Sequence, residues 1–168
     1  LHGYRYGTDG AGADTLLVRG KGMRPSCDAI RPRGRQRWPS ALYMDGPSLI
    51  AFALEAIPKL IRETLEAAGC RREDIRHFIL HQATLKMMEA LRAAARIPDA
   101  AFPIVLEDVG NTVSSTIPIV IERMRKEGRL EAGQRNMLVG FGVGLSWAAC
   151  VWDECWSECE KRFVGAPS

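Results

Sequence analysis

The sequence predicts an α/β domain in which helices cover a mixed sheet. Three stretches predict it: Phe78-Ile79-Leu80-His81-Gln82-Ala83-Thr84, Gly110-Asn111-Thr112, and Gly140-Phe141-Gly142-Val143-Gly144. Each is a short apolar run that ends in polar or glycine-rich residues, and the first two lead into helix-like sequence. In open α/β sheets, ligands gather at the carboxyl ends of the strands, where side chains from separate loops converge. His81 and Asn111 at two such ends, with flexible backbone at a third, are therefore the candidate wall of an active site.

Length and composition set the bounds. A chain of 168 residues buries one substantial core, and its apolar (46%) and charged (26%) fractions are ordinary for a globular protein. The net charge of +3 is modest and no apolar run approaches a membrane span, so neither nucleic acid nor a membrane crossing is expected. The five cysteines (27, 70, 150, 155 and 159) are odd in number and lack a paired framework, which reads as reduced thiols. Cys150, Cys155 and Cys159 have no histidine at ligand spacing, so no metal and no cofactor are expected. The first residues lack the layout of a secretory signal, and a cytoplasmic location is expected. A chain that starts with leucine suggests a fragment or a processed product.

Residues 1–14 are rich in glycine and aspartate and read as loop or turn. Residues 15–18 are a short strand candidate. Residues 20–40 carry three prolines and a run of arginines, a basic irregular loop whose charge suits an acidic partner. A helix begins at Asp45-Gly46-Pro47, since proline is favoured where its missing N–H has no intrahelical partner. Its apolar stripe runs from Leu49 to Leu65 and Gly69 stops it, with Pro58 expected to kink it.

Residues 75–80 are the next strand, 84–95 a second helix, and 102–106 a third strand. The helix after Asn111 opens with apolar and small residues (Val113, Ser114, Ser115, Thr116, Ile117) and no charged face, which predicts burial until Glu122-Arg123 meet water. Residues 136–140 and 145–152 are a closing hairpin of antiparallel strands. The expected order is βαβαβαββ over residues 1–153, followed by a polar tail at 154–168.

From about residue 43 to 152 the chain resembles the C-terminal half of β-ketoacyl-acyl-carrier-protein synthase III, in the thiolase-like superfamily. The matching stretches are Tyr43-Met44-Asp45-Gly46, His81-Gln82-Ala83, Gly110-Asn111-Thr112 with Ser114-Ser115-Thr116-Ile117-Pro118, and Phe141-Gly142-Val143-Gly144-Leu145-Ser146-Trp147. Gly7-Thr8-Asp9-Gly10-Ala11-Gly12 is also similar to the start of that half in some members. The resemblance implies the C-terminal half of a thiolase-like fold, in which the helix after Asn111 is a buried central one.

It also implies decarboxylative Claisen condensation of an acyl group from acyl-CoA with malonyl-acyl carrier protein, by a Cys-His-Asn triad. Carried over, His81 Nε2–H and the Asn111 amide N–H would hold the enolate oxygen. Phe141 would line the malonyl site, and the backbone N–H of Val143 would complete an oxyanion hole. Gly46, Ile50, Thr84 and Met87 would lie along the pantetheine arm of the substrate. Lys86 would meet the acidic carrier protein, and the complete enzyme would be a homodimer.

The nucleophilic cysteine belongs to the N-terminal half in this family, and none of the five cysteines here replaces it. That half is therefore an expected partner. Threonine stands at 84 where many members have asparagine, and lysine at 86 where arginine is frequent, losing the planar fork. Two other functions are compatible with the resemblance: acyl transfer to an oxygen or nitrogen acceptor, and a non-catalytic subunit of a split enzyme.

Overall fold

The computed structural model of the chain describes residues 1–18 and 42–155; the basic stretch 20–40, and all but the first two residues of the tail, lie outside them. Among the described residues, six strands and three α-helices follow the order β1(His2–Thr8), β2(Leu16–Val18), β3(Leu42–Met44), α1(Gly46–Ala68), β4(His77–Leu80), α2(Leu85–Ala94), α3(Thr116–Lys126), β5(Arg135–Gly142) and β6(Ser146–Asp153). The main sheet is mixed, with strand order β1-β6-β5-β4; β4 and β5 are parallel and the other neighbours antiparallel. β2 and β3 form a separate two-stranded ribbon.

Two layers of side chains sandwich the main sheet. On one face, α1 (Ala53, Ile57, Leu60, Ile61) and α2 (Met88, Leu91) pack on Phe78, Leu80, Met137, Val139 and Val151. On the other, α3 packs Val120 and Met124 against Ile79 and Val105, with Leu138 and Trp152 alongside. Strand alternation divides the residues: Phe78 and Ile79 are neighbours in β4 and serve opposite cores.

The helix ends follow the local chemistry. The Asp45 side chain caps α1 by accepting from the Ser48 N–H (3.2 Å) and hydroxyl (2.8 Å). Gly69, at φ 62°, closes it in the left-handed conformation that glycine adopts without cost. α1 continues through Pro58 to that cap. Thr84 caps α2 by accepting from the Met87 N–H.

Five expectations are corrected. Residues 1–14 are not all loop: β1 pairs along β6, from His2 opposite Val151 to Thr8 opposite Ser146. Its Gly7 is required by the packing, since a Cβ there would lie 2.5 Å from the Trp147 ring. β3 is a strand that the local pattern did not show, paired with the expected strand at 16–18.

Residues 102–106 join no sheet among the described residues. Pro103 has no N–H for a ladder, and the Val105 N–H is taken by the Gln82 side chain (3.0 Å). The helix after Asn111 is not buried all round. It starts as a short 3-10 turn at Val113–Ser115, and α3 buries only Thr116, Val120 and Met124. Glu154, the first residue of the expected tail, is buried and makes a two-pronged contact with Arg125.

Candidate active site

His81 follows directly on β4, and its backbone N–H donates to the Val139 carbonyl (2.8 Å), which extends the parallel pairing by one residue. The ring is half-buried. Its Nδ1 lies 2.8 Å from Thr116 Oγ1, at the first turn of α3. Phe141, near the end of β5, sets its ring edge-on to the imidazole, with centroids 5.3 Å apart. Burial pushes the His81 pKa below the usual imidazole value, and the Val113 carbonyl pulls it part of the way back.

Asn111 is linked to His81 indirectly, through a compact turn at Val113. Its Oδ1 accepts from the Val113 N–H (2.9 Å), a local side-chain-to-backbone bond that leaves the amide N–H₂ for another partner. Thr116 Oγ1 donates to the Val113 carbonyl (3.0 Å) and also touches His81, so one short segment holds both candidate residues. Val113 takes φ 57°, a left-handed conformation that is strained for a β-branched side chain. The strain falls on the residue whose N–H and carbonyl make both of these contacts.

The sequence profile of the C-terminal domain of 3-oxoacyl-[acyl-carrier-protein] synthase III matches residues 65–153. The chain belongs to this family. Beta-ketoacyl-[acyl-carrier-protein] synthase III of Gloeobacter violaceus is 34% identical over 145 residues, covering 86% of this chain and 44% of its own length. The same-named protein of Clostridium tetani is 31% identical over 147 residues, covering 85% and 44%. A crystal structure of a 3-oxoacyl-(acyl-carrier-protein) synthase III superposes with a TM-score of 0.82 at 43% identity, over 90% of this chain and 47% of that one. A 3-oxoacyl-(acyl-carrier protein) synthase of Burkholderia xenovorans gives 0.82 at 35%, over 89% and 43%. The chain thus spans less than half the length of these relatives.

Within this synthase III domain, the expected substrate-facing residues divide. Gly46 and Ile50 lie in the first turns of α1, with Ile50 exposed; Thr84 and Lys86 are exposed at the start of α2. Met87 does not share that surface: it is 9% exposed and packs in the core below α1 and α2. Val143 lies in the turn between β5 and β6 with its side chain 61% exposed. Each site segment also carries an exposed apolar neighbour, Leu85 beside Thr84 and Val113 beside Asn111.

The described cysteines stand apart from His81. Cys70 follows α1 and its Sγ accepts from Arg135 Nη1 (3.3 Å); Cys150 is opposite Leu138 in the middle of the hairpin; Cys155 follows β6. Among the described residues, no group of three or more His, Cys, Asp or Glu is placed to hold a metal ion. No helix there is long and apolar enough to cross a membrane.

Two residues carry structural weight at the site that the motif alone did not assign. Thr116 is 2% exposed and joins the Asn111 turn to His81. Gln82, 1% exposed, donates to the Leu80 (2.8 Å) and Pro103 (3.4 Å) carbonyls and accepts from the Val105 N–H. It anchors the segment that leads to Asn111 against the end of β4. A glutamine beside a strand-end histidine is the sequence signal for such a clamp, but its partner twenty-one residues on has none.

Proposed function

We propose that this chain is the C-terminal catalytic half of a condensing enzyme that joins an acyl group from acyl-CoA to malonyl-acyl carrier protein by decarboxylative Claisen condensation. The observation that supports it is the linked pair: the His81 ring and the Asn111 amide, held by one turn, with the Phe141 ring against the imidazole. Loss of carbon dioxide from a malonyl thioester moves negative charge onto the thioester oxygen. Neutral groups fixed in advance around that oxygen lower the barrier, because they need no reorganisation as the charge appears. The acyl-accepting thiol comes from an N-terminal half that carries the cysteine; Cys70 and Cys150 are committed to other surroundings.

The test is malonyl-carrier-protein decarboxylation by the complete protein. His81→Ala and Asn111→Ala should each lower kcat on the order of a hundredfold to a thousandfold, the usual loss for one oxyanion contact. Undiminished decarboxylation in both variants would refute the assignment and favour a stabilising, non-catalytic role. Lys86, exposed at the start of α2, is proposed to meet the acidic carrier protein. Lys86→Glu should raise KM for the carrier-linked substrate about tenfold at low salt and leave malonyl-CoA unaffected; equal effects on both would place Lys86 elsewhere.

A further inference from the structure

We propose that the end of the sheet opposite His81 carries a binding site for a small phosphorylated metabolite, built on Arg72, Arg76 and Arg96. Arg72 lies in the turn between α1 and β4, Arg76 leads into β4, and Arg96 lies in the turn after α2. With Arg135, which opens β5, they line one cavity of about 750 Å³. That volume is in the range of a small-molecule site. Pro98, Ala100 and Ala101 give it an apolar side. Binding there requires nothing of the condensation chemistry at His81.

The charges around the cavity do not balance. Asp74 is committed to Arg71, accepting from its backbone N–H (2.8 Å) and its Nη2 (3.2 Å), and Arg135 is committed to Asp153 (3.0 Å) and Cys70. Among the described residues, Arg72, Arg76 and Arg96 make no ion pair, and Glu73 is the lining acid left to face them. Three guanidiniums against one carboxylate leave an excess of two positive charges, which a phosphate monoester dianion neutralises. The planar fork of arginine also matches phosphate oxygens. The Arg72 guanidinium lies over the buried Phe78 ring, 5.7 Å from its centroid, and its Nη1 is buried with no hydrogen-bond partner among the described residues. A cationic donor so placed is costly until an anion meets the same group. Arg96 is a second anomaly. It takes φ 53° just past the C-cap of α2, the left-handed position that glycine favours, and its N–H donates to the Ala93 carbonyl while that of Ile97 donates to Arg92. Backbone strain is thus accepted at a residue that lines the cavity.

Titration calorimetry of the complete protein at low ionic strength tests the site, with phenyl phosphate and inorganic phosphate as probes. Phenyl phosphate should saturate with a Kd below about 1 mM and bind several-fold more tightly than inorganic phosphate, since it alone reaches the apolar side. Arg72→Ala and Arg96→Gly should each weaken it about tenfold. Arg96→Gly relieves the left-handed strain, so its Tm should rise and its loss of binding cannot be a loss of folding. Arg62→Ala removes an exposed charge from α1 and should leave Kd unchanged. Equal weakening by Arg62→Ala would mean diffuse attraction to a basic surface and would overturn the site. Failure to saturate would do the same, as would Arg72→Ala and Arg96→Gly proteins that bind phenyl phosphate as before. Equal affinity for the two phosphates would reject an organic ligand, and tighter binding of succinate or of a glutamate-rich peptide would reject phosphate.

Discussion

His77 and His81 stand four residues apart along one line of the sheet and face opposite fates. His77 opens β4 at 4% exposure, its Nε2 3.2 Å from the Arg129 carbonyl and its Nδ1 buried with no hydrogen-bond partner among the described residues. His81 leaves β4 at the other end, half-buried, with Nδ1 on a threonine hydroxyl and Phe141 against its edge. Burial depresses both pKa values, and the nearby Arg76 and Arg129 guanidiniums add to the effect at His77. A shifted pKa therefore does not distinguish the two. The difference is convergence: at His81, side chains from the first turn of α3 and the end of β5 meet around a half-buried ring.

Substitution should separate the two histidines widely. His81→Ala is expected to abolish most decarboxylation with little change in denaturant midpoint, whereas His77→Ala should leave kcat per folded molecule intact. Its cost should be stability, about 2 kcal/mol for a buried ring lost from beneath α3. A drop in kcat for His77→Ala at full folding would erase the distinction between the two ends of the sheet.

The support of the His81 end of the sheet is tested by Gln82→Ala. The change strips the Val105 N–H and the Pro103 carbonyl of a buried partner and should cost about 3 kcal/mol, read from chemical denaturation of the complete protein. Because residues 103–105 lead to Asn111, hydrogen exchange should also quicken there before it does in α1. Uniform exchange across the domain would mean that Gln82 supports the core alone.

The smallest effect expected is on the pH dependence of stability. His77 has a folded pKa below its ordinary value, so the fold favours its neutral form. The unfolded chain then binds more protons, and stability rises with pH in that window. Stability should be full above about pH 7 and decline as pH falls through the ordinary histidine value near 6.5 towards the folded one. His77→Gln should make that decline shallower. An unchanged slope would place the titrating group elsewhere, with His81 the next candidate because its shift has the same sign.

Local chemistry by itself determined the helices and the central strands. Asp45, Pro47 and Gly69 bound α1, Thr84 opens α2, and the apolar runs at β4 and β5 mark strands buried on both faces. His81, Asn111 and Phe141 stood out as candidates because each sits in a short motif at the end of such a run. β1 was not legible: Gly3-Tyr4-Arg5-Tyr6-Gly7 has turn-like composition, and its strand exists because β6, about 140 residues on, offers a ladder.

Only the tertiary structure decided that residues 102–106 pair with a glutamine side chain rather than a sheet, and that Met87 turns into the core while Ile50 and Thr84 stay exposed. It also decided the place of Thr116, which in sequence is one of several small residues in an apolar helix. Periodicity and capping act within a few residues of chain. The partners of one hydroxyl depend on what the fold brings to within 3.0 Å of it, here a carbonyl three residues back and a ring thirty-five residues away.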